Sequence, residues 1–129
     1  MMNTALVLHL NVQQAEQLAA QCAAWRKYAL QGLPASLERN QILRAVQAVE
    51  GRLLSLRKRQ ATEYTLSLHY DEAHALHQVI LALMHVWGKA PNSEERIQAI
   101  GNLVMLRVMI ERVLYLRDQK PDAGNKVSG

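Results

Sequence analysis

Four histidines lie close together in this sequence of 129 residues, and imidazole nitrogens are common ligands for transition metals. They are His69, His74, His77 and His85. On a helix, His74 and His77 would lie one turn apart and could supply two ligands, with the Asp71–Glu72 pair offering a third. His85 would lie about 12 Å from His77 along the helix axis, which is too far for one ion. Because neither an HExxH sequence nor paired cysteines accompany them, we predict no metal and no cofactor.

No residue pattern indicates an enzyme. The single cysteine, Cys22, lies among alanines and a leucine, where a thiol is normally inert. The adjacent carboxylates Glu94 and Glu95 stand at the predicted start of a helix, where the helix dipole alone favours negative charge. The sequence has no glycine-rich phosphate loop and no GxSxG motif. We therefore predict that the protein is not an enzyme. A single cysteine cannot form an intrachain disulfide, which favours a reducing compartment, so we also predict a cytoplasmic protein.

The densest group of positive charges, near the middle of the sequence, consists of Arg52, Arg57, Lys58 and Arg59. These side chains could contact phosphates, which supply most of the sequence-independent affinity for nucleic acid. Alternatively, they end a helix, where cations complement the dipole. The net charge of +4 is unevenly divided, because residues 1–60 carry eight Lys or Arg against three Asp or Glu, whereas residues 61–129 carry seven against eight. A polyanion would therefore be attracted mainly to the first half.

The sequence repeats itself with an offset of sixty residues. Two windows carry most identities: Leu6, Leu8 and His9 recur as Leu66, Leu68 and His69, and Arg52, Leu54, Leu56 and Arg57 recur as Arg112, Leu114, Leu116 and Arg117. A shared offset without gaps predicts a tandem duplication. We predict a single domain over residues 1–120, made of repeats 1–60 and 61–120, followed by a disordered polar tail over residues 121–129.

Each repeat begins with alternating apolar and polar residues, the period of a half-buried strand. We predict strands over Thr4–Asn11 and Thr65–Asp71. The inward side chains would be Leu6, Leu8 and Leu10 in the first strand and Leu66, Leu68 and Tyr70 in the second. A lone strand leaves backbone groups without partners, so the two strands should pair with each other. Copies related by a twofold axis perpendicular to the ribbon would pair antiparallel.

Two amphipathic helices should follow each strand. The predicted first helices are Val12–Gln31 and Glu72–Trp87, and the second helices, counted from their serine caps, are Ser36–Gln60 and Ser93–Gln119. Asn11 and Asp71 stand where the N-caps of the first helices are expected. The predicted fold is mainly α, within the α+β class: a two-stranded antiparallel ribbon covered by four helices around a pseudo-twofold axis.

The fourth predicted helix is apolar around most of its circumference, and such a helix is normally buried on most sides. In a small domain it should be either the central helix or a helix shared with a second chain. The third and fourth helices also carry large apolar side chains on several sides: Leu81, Met84, Met105, Val108 and Leu114. We therefore predict a homo-oligomer or a protein partner. No segment reaches the ~18 apolar residues of a membrane span, so we predict no membrane partner.

Residues 8–20, LHLNVQQAEQLAA, resemble the strand and first helix of the ribbon-helix-helix DNA-binding proteins. Residues 38–46, ERNQILRAV, are similar to the start of the second helix of that family, where a short polar segment precedes an aliphatic pair, Arg and Ala. The second repeat resembles the family in outline only. The resemblance implies a single-chain version of the fold and recognition of double-stranded DNA by the outward face of the ribbon.

Carried over by position, the resemblance assigns base contacts to five side chains: His9, Asn11, Thr65, Ser67 and His69. Such side chains can hydrogen-bond to base edges, whereas Val7 on the same face cannot, and neither strand offers Arg or Lys. Phosphate contacts would come from Arg44, Arg52, Lys58 and Arg59. The implied function is a regulator or a DNA-processing accessory factor. The alternative is a helical interaction module, an obligate oligomer or a subunit of a larger assembly, in which the ribbon serves packing only.

Overall fold

Two strands, each followed by a pair of helices, make up the part of the chain that the structure describes. This computed structural model describes residues 6–119, with side chains as far as residue 115. The elements are β1 (Leu6–Asn11), α1 (Val12–Gly32), α2 (Leu37–Lys58), β2 (Glu63–Leu68), α3 (Tyr70–Gly88) and α4 (Glu94–Gln119). The predicted mainly helical fold with a two-stranded antiparallel sheet is confirmed. The predicted tail, and the first two residues of the predicted first strand, lie outside the described residues.

The strands form an antiparallel ribbon with one apolar face. Successive side chains of a strand point to opposite faces, so each strand contributes every second residue to the core. The inward residues are all buried: Leu6, Leu8, Leu10, Tyr64, Leu66 and Leu68. The alternation predicted for β1 is therefore confirmed, as is the inward position of the two leucines of β2.

The bounds predicted for the second strand were wrong. The segment Thr65–Asp71 was expected to form it, but β2 spans Glu63–Leu68, and Tyr64 rather than Tyr70 is the third inward residue. The shift arises because the chain turns into α3 directly after Leu68.

The N-caps explain where the first helix of each repeat begins. Asn11 caps α1 as predicted, since its Oδ1 accepts a hydrogen bond from the backbone N–H of Gln14 at 2.7 Å. The predicted cap Asp71 was wrong: His69 is the N-cap of α3, and Asp71 lies in the first turn. Oε1 of Glu72 accepts a hydrogen bond from the backbone N–H of His69 at 2.9 Å, which starts the helix at Tyr70.

The core lies between the inward face of the ribbon and one apolar stripe from each helix. In α1 the buried stripe is the one that spacings of three and four residues indicate: Ala15, Leu18, Cys22, Trp25 and Ala29. α2 and α3 bury comparable stripes, and α2 packs against both α1 and α3. Among the described residues, no polar or charged residue is buried.

α4 is buried on one side only. It contributes Leu103, Leu106 and Ile110 to the core and packs most extensively against α3, with a smaller contact to α1. Its opposite side is exposed, so the alternative in which α4 is the central helix is wrong. Five large apolar side chains of α3 and α4 were expected to need a partner to cover them. Met84, Met105 and Leu114 pack against the core, whereas Leu81 and Val108 are exposed.

Candidate nucleic-acid interface

The outward face of the ribbon is open to solvent. Its side chains come from alternate positions of the two strands and are all exposed: Val7, His9, Asn11, Glu63, Thr65 and Ser67. In the register of the ribbon, Val7 lies opposite Ser67 and His9 lies opposite Thr65. Because the helices pack against the other face, the described residues leave this surface, two strands wide, free for a partner.

Adjacent cross-strand pairs on this face carry hydrogen-bonding groups. The imidazole of His9 and the hydroxyl groups of Thr65 and Ser67 can donate and accept hydrogen bonds. A two-stranded ribbon fits the major groove of B-DNA, where base edges present donors and acceptors. Val7 offers an apolar contact of the kind that a thymine methyl group makes. The described side chains of this face include no Arg or Lys, so base recognition here would depend on imidazole, hydroxyl and amide groups.

Glu63 belongs to this face, although the predicted second strand began two residues later, at Thr65. It lies opposite Asn11 at one end of the ribbon. The available signal was the alternation of Tyr64, Leu66 and Leu68, which extends the strand back to this residue. A carboxylate accepts hydrogen bonds from cytosine but repels phosphates, so Glu63 reduces the attraction of a DNA backbone to its own end of the ribbon.

His69 lies at the margin of the ribbon face. It follows Leu68, which pairs with Leu6 in the last described pair of the ribbon. Its side chain is exposed, while its backbone N–H is used in the start of α3. His69 can therefore contact a ligand that extends past the strand ends, although it is not a member of the paired surface.

Arg52 is engaged within the chain. Its Nη1 and Nη2 donate hydrogen bonds to the two carboxylate oxygens of Glu72 at 2.7 and 2.6 Å, and Nη1 also donates to the carbonyl oxygen of Ser67 at 3.0 Å. Burial acts to raise the pKa of Glu72, but the hydrogen bonds from Arg52 and from the His69 backbone outweigh it and hold this pKa below its ordinary value. In this arrangement Arg52 holds the end of β2 and the start of α3 together, and its charge is paired with that of Glu72.

Lys58 and Arg59 are exposed at the end of α2. The helix stops there because Gln60 has a φ of 57°, the left-handed conformation that commonly ends helices. β2 begins at Glu63, so these cations lie only a few residues before the ribbon. They can therefore contact phosphates that flank a ligand lying on the ribbon.

Arg44 lies apart from these cations. It precedes Lys58 by fourteen residues on the same helix, a separation of about 21 Å along the axis. It lines an open groove between α2 and α3, together with Asp71 and His74. Of the four cations predicted to contact phosphates, Lys58 and Arg59 are thus the two that are exposed and adjacent to each other.

The clustered histidines are separated by their helix faces. Nε2 of His77 lies 2.8 Å from Oε2 of Glu111, which also accepts a hydrogen bond from Nε of Arg107 at 2.8 Å. The hydrogen bonds of Arg107 and His77 lower the pKa of Glu111. The ring of His74 lies 5.9 Å from that of Tyr70. Within residues 6–115, no three His, Cys, Asp or Glu side chains are placed to hold a metal ion.

Comparison with known proteins provides no assignment. No family model matches the chain, and searches of curated proteins and of solved structures found no significant match. None of the helices in the described part of the chain combines the length and the apolar character needed to cross a membrane.

Proposed function

We propose that this chain is a small, ribbon-helix-helix-like protein of the cytoplasm that binds double-stranded DNA and acts as a regulator or a DNA-processing accessory factor. The observation that carries the proposal is the solvent-exposed outward face of the ribbon, which carries hydrogen-bonding side chains and whose second strand begins a few residues after the cations at the end of α2. The ribbon would enter the major groove, while Lys58 and Arg59 contact flanking phosphates.

We also propose that the two halves of the chain arose by tandem duplication and are related by a pseudo-twofold axis. The register of the ribbon supports this proposal, because Val7 and Ser67, which lie sixty residues apart, are directly opposite each other. The neighbouring pairs obey the same symmetry: Leu6 lies opposite Leu68, and their sixty-residue equivalents, Leu66 and Leu8, also lie opposite each other. A twofold axis between Val7 and Ser67 requires this register. The packing of the helices is less symmetric, since α2 contacts α3 more extensively than α4 contacts α1.

The charge distribution indicates whether phosphate contacts or base contacts would dominate the affinity for DNA. Arg and Lys make the commonest specific contacts to guanine, and the outward face of the ribbon has neither among its described side chains. Phosphate neutralisation would therefore supply most of the affinity, and sequence preference would be modest. The ribbon would contribute that preference through His9, Thr65 and Ser67.

The electrostatic part is tested by fluorescence anisotropy with a labelled DNA duplex at several salt concentrations. The double variant Lys58→Gln/Arg59→Gln should bind all sequences more weakly and flatten the plot of log K against log salt by about 2, since each lost phosphate contact reduces the slope by about 0.9. The matched control is Lys27→Gln/Lys89→Gln, which removes the same charge from exposed positions outside the ribbon and α4. Equal loss in both variants, or no binding by the unaltered chain at low salt, would end the DNA proposal.

The contribution of the ribbon is tested separately. Ser67→Ala and Thr65→Ala remove hydroxyl groups from the outward face and should change the ranking of sequences in a random-duplex selection while leaving the salt dependence unchanged. Gln13→Ala, an exposed change in the first turn of α1, is the control. An unchanged ranking in both ribbon variants would place recognition elsewhere.

The alternative function, a helical interaction module or subunit of an assembly, is favoured by a different observation. The side of α4 that faces away from the core carries exposed large apolar side chains, and Ile97, the most exposed of those on α4, is 68 % exposed. Surfaces of this kind usually mark a protein interface. The two functions use surfaces that share no residue, so one chain can have both.

A further inference from the structure

A straight apolar stripe runs along the outward side of α4. Its members, Ile97, Val104, Val108 and Tyr115, are 68 %, 41 %, 57 % and 62 % exposed. Spacings of seven, four and seven residues place all four on one side of the helix, over a length of about 27 Å. This side lies opposite the one that contributes Leu103, Leu106 and Ile110 to the core. The described part of a single chain therefore leaves the stripe uncovered from Ile97 to Tyr115.

The packing within the chain does not require this stripe. α2 occupies the same place in the first half of the chain and also buries one side only. At an offset of sixty residues, the last three positions of the stripe correspond to exposed residues of α2: Arg44, Ala48 and Ser55. Because α2 packs with a mostly polar outward side, the apolar side of α4 is explained better by a partner than by the fold.

Two features of α4 fit a second copy of the same helix in antiparallel orientation. Gly101 is exposed beside the stripe, and a Cβ atom built there would have no other atom within 4 Å, so a partner helix can approach closely. The exposed acids Glu94 and Glu95 begin the helix, and the exposed Arg112 lies near its end. Antiparallel pairing brings Arg112 of each helix alongside the acidic half of the other, whereas parallel pairing places like charges together.

We propose that two copies of this chain form a dimer through antiparallel pairing of their α4 helices. A twofold axis between Val104 and Val108 places each of these residues against the other in the second copy, and places Ile97 against Tyr115. The contact is self-complementary and closed, so it stops at two copies. It involves none of the residues of the ribbon face and does not depend on DNA binding.

The dimer is tested by sedimentation velocity on the full chain, without DNA, over a wide range of concentrations. We expect a reversible monomer–dimer equilibrium, because one helix pair makes a small interface. The variant Val104→Arg/Val108→Ala gives α4 the residues of α2 and should be monomeric, with an unchanged circular dichroism spectrum. The control Leu37→Gln changes an exposed apolar residue of α2 and should leave the dimer intact.

A second variant, Ile97→Gln/Tyr115→Gln, alters the two most exposed members of the stripe and keeps the test valid if the first variant folds poorly. It should also be monomeric. A chain that is monomeric at all concentrations, or folded stripe variants that dimerise like the unaltered chain, would overturn the proposal.

The orientation is tested by disulfide cross-linking. Ile97→Cys and Tyr115→Cys chains, mixed and mildly oxidised, should cross-link to each other, while each alone should not cross-link efficiently. Cys22 is buried and does not compete in the folded chain. Efficient cross-linking of Ile97→Cys with itself would indicate a parallel pair and overturn the antiparallel arrangement.

Discussion

Arg52 in α2 and Glu72 in the first turn of α3 are joined by two hydrogen bonds, of 2.7 and 2.6 Å, between the guanidinium and the carboxylate. The guanidinium also donates to the carbonyl oxygen of Ser67 at 3.0 Å, and the carboxylate accepts from the backbone N–H of His69 at 2.9 Å. One ion pair therefore connects α2 to the end of β2 and to the first turn of α3. Because this junction decides where β2 ends, the pair helps to define the outward face of the ribbon.

Replacing Arg52 with methionine should destabilise the chain. The side chain of Glu72 is only 12 % exposed, so its carboxylate would lose two charged hydrogen bonds without full access to water. We expect the free energy of unfolding to fall by about 1–3 kcal/mol, measured by urea denaturation. Arg44→Met, an exposed change on the same helix, should alter it by less than about 0.5 kcal/mol. Equal effects of the two variants would show that the ion pair contributes nothing specific.

The same ion pair should make stability depend on acid pH. Since the pKa of Glu72 is lower in the folded chain than its ordinary value of 4.5, the unfolded chain binds this proton first as the pH falls. The contribution of Glu72 to the free energy of unfolding is therefore fully present above about pH 5 and is lost as the pH falls through the pKa of Glu72 in the folded chain. In urea denaturation between about pH 3 and pH 6, the free energy of unfolding should fall less steeply with decreasing pH for Glu72→Gln than for the unaltered chain. Glu16→Gln, at an exposed position of α1, should retain the steeper dependence.

Shortening the side chain of Leu66 should destabilise the fold strongly. It is 1 % exposed at the centre of the inward face of the ribbon, so Leu66→Ala leaves a cavity that neighbouring side chains fill only in part. The free energy of unfolding should fall by about 2–5 kcal/mol, again measured with urea. Leu54→Ala on α2, where the leucine is 50 % exposed, provides the comparison and should have a much smaller effect. Similar losses would contradict the placement of the ribbon over the core.

Cys22 should be almost unreactive in the folded chain. Burial raises the pKa of its thiol to about 12, with a smaller contribution from Glu50, so little thiolate exists near neutral pH. A colorimetric thiol assay at about pH 8, near the ordinary range of a free thiol, should detect it slowly before unfolding and rapidly in urea. A thiol introduced by Ala24→Cys, at an exposed position of the same helix, should react at once. Rapid reaction of the unaltered chain would mean that α1 opens readily.

The local pattern of the sequence was sufficient for most of the fold. Alternation with period two predicted which side of β1 is buried, and spacings of three and four residues predicted the buried stripe of α1. Asn11 was found as a cap because its side chain bonds to a backbone group only three residues away. These features depend on neighbouring residues, so a short window contains the information that determines them.

Contacts between distant residues decided the rest. The end of β2 was misplaced although the bond from the His69 backbone to Glu72 that starts α3 is local. Glu72 is itself held by Arg52 from another helix, and no short window contains that contact. The same contact engages a cation that the sequence alone presented as free. Composition showed that α4 is apolar nearly all round, but only the packing of α3 and the ribbon decided which side is buried. A helix that is apolar nearly all round has no preferred face until its neighbours cover one, and for this reason the exposed stripe of α4 could be located only in the folded chain.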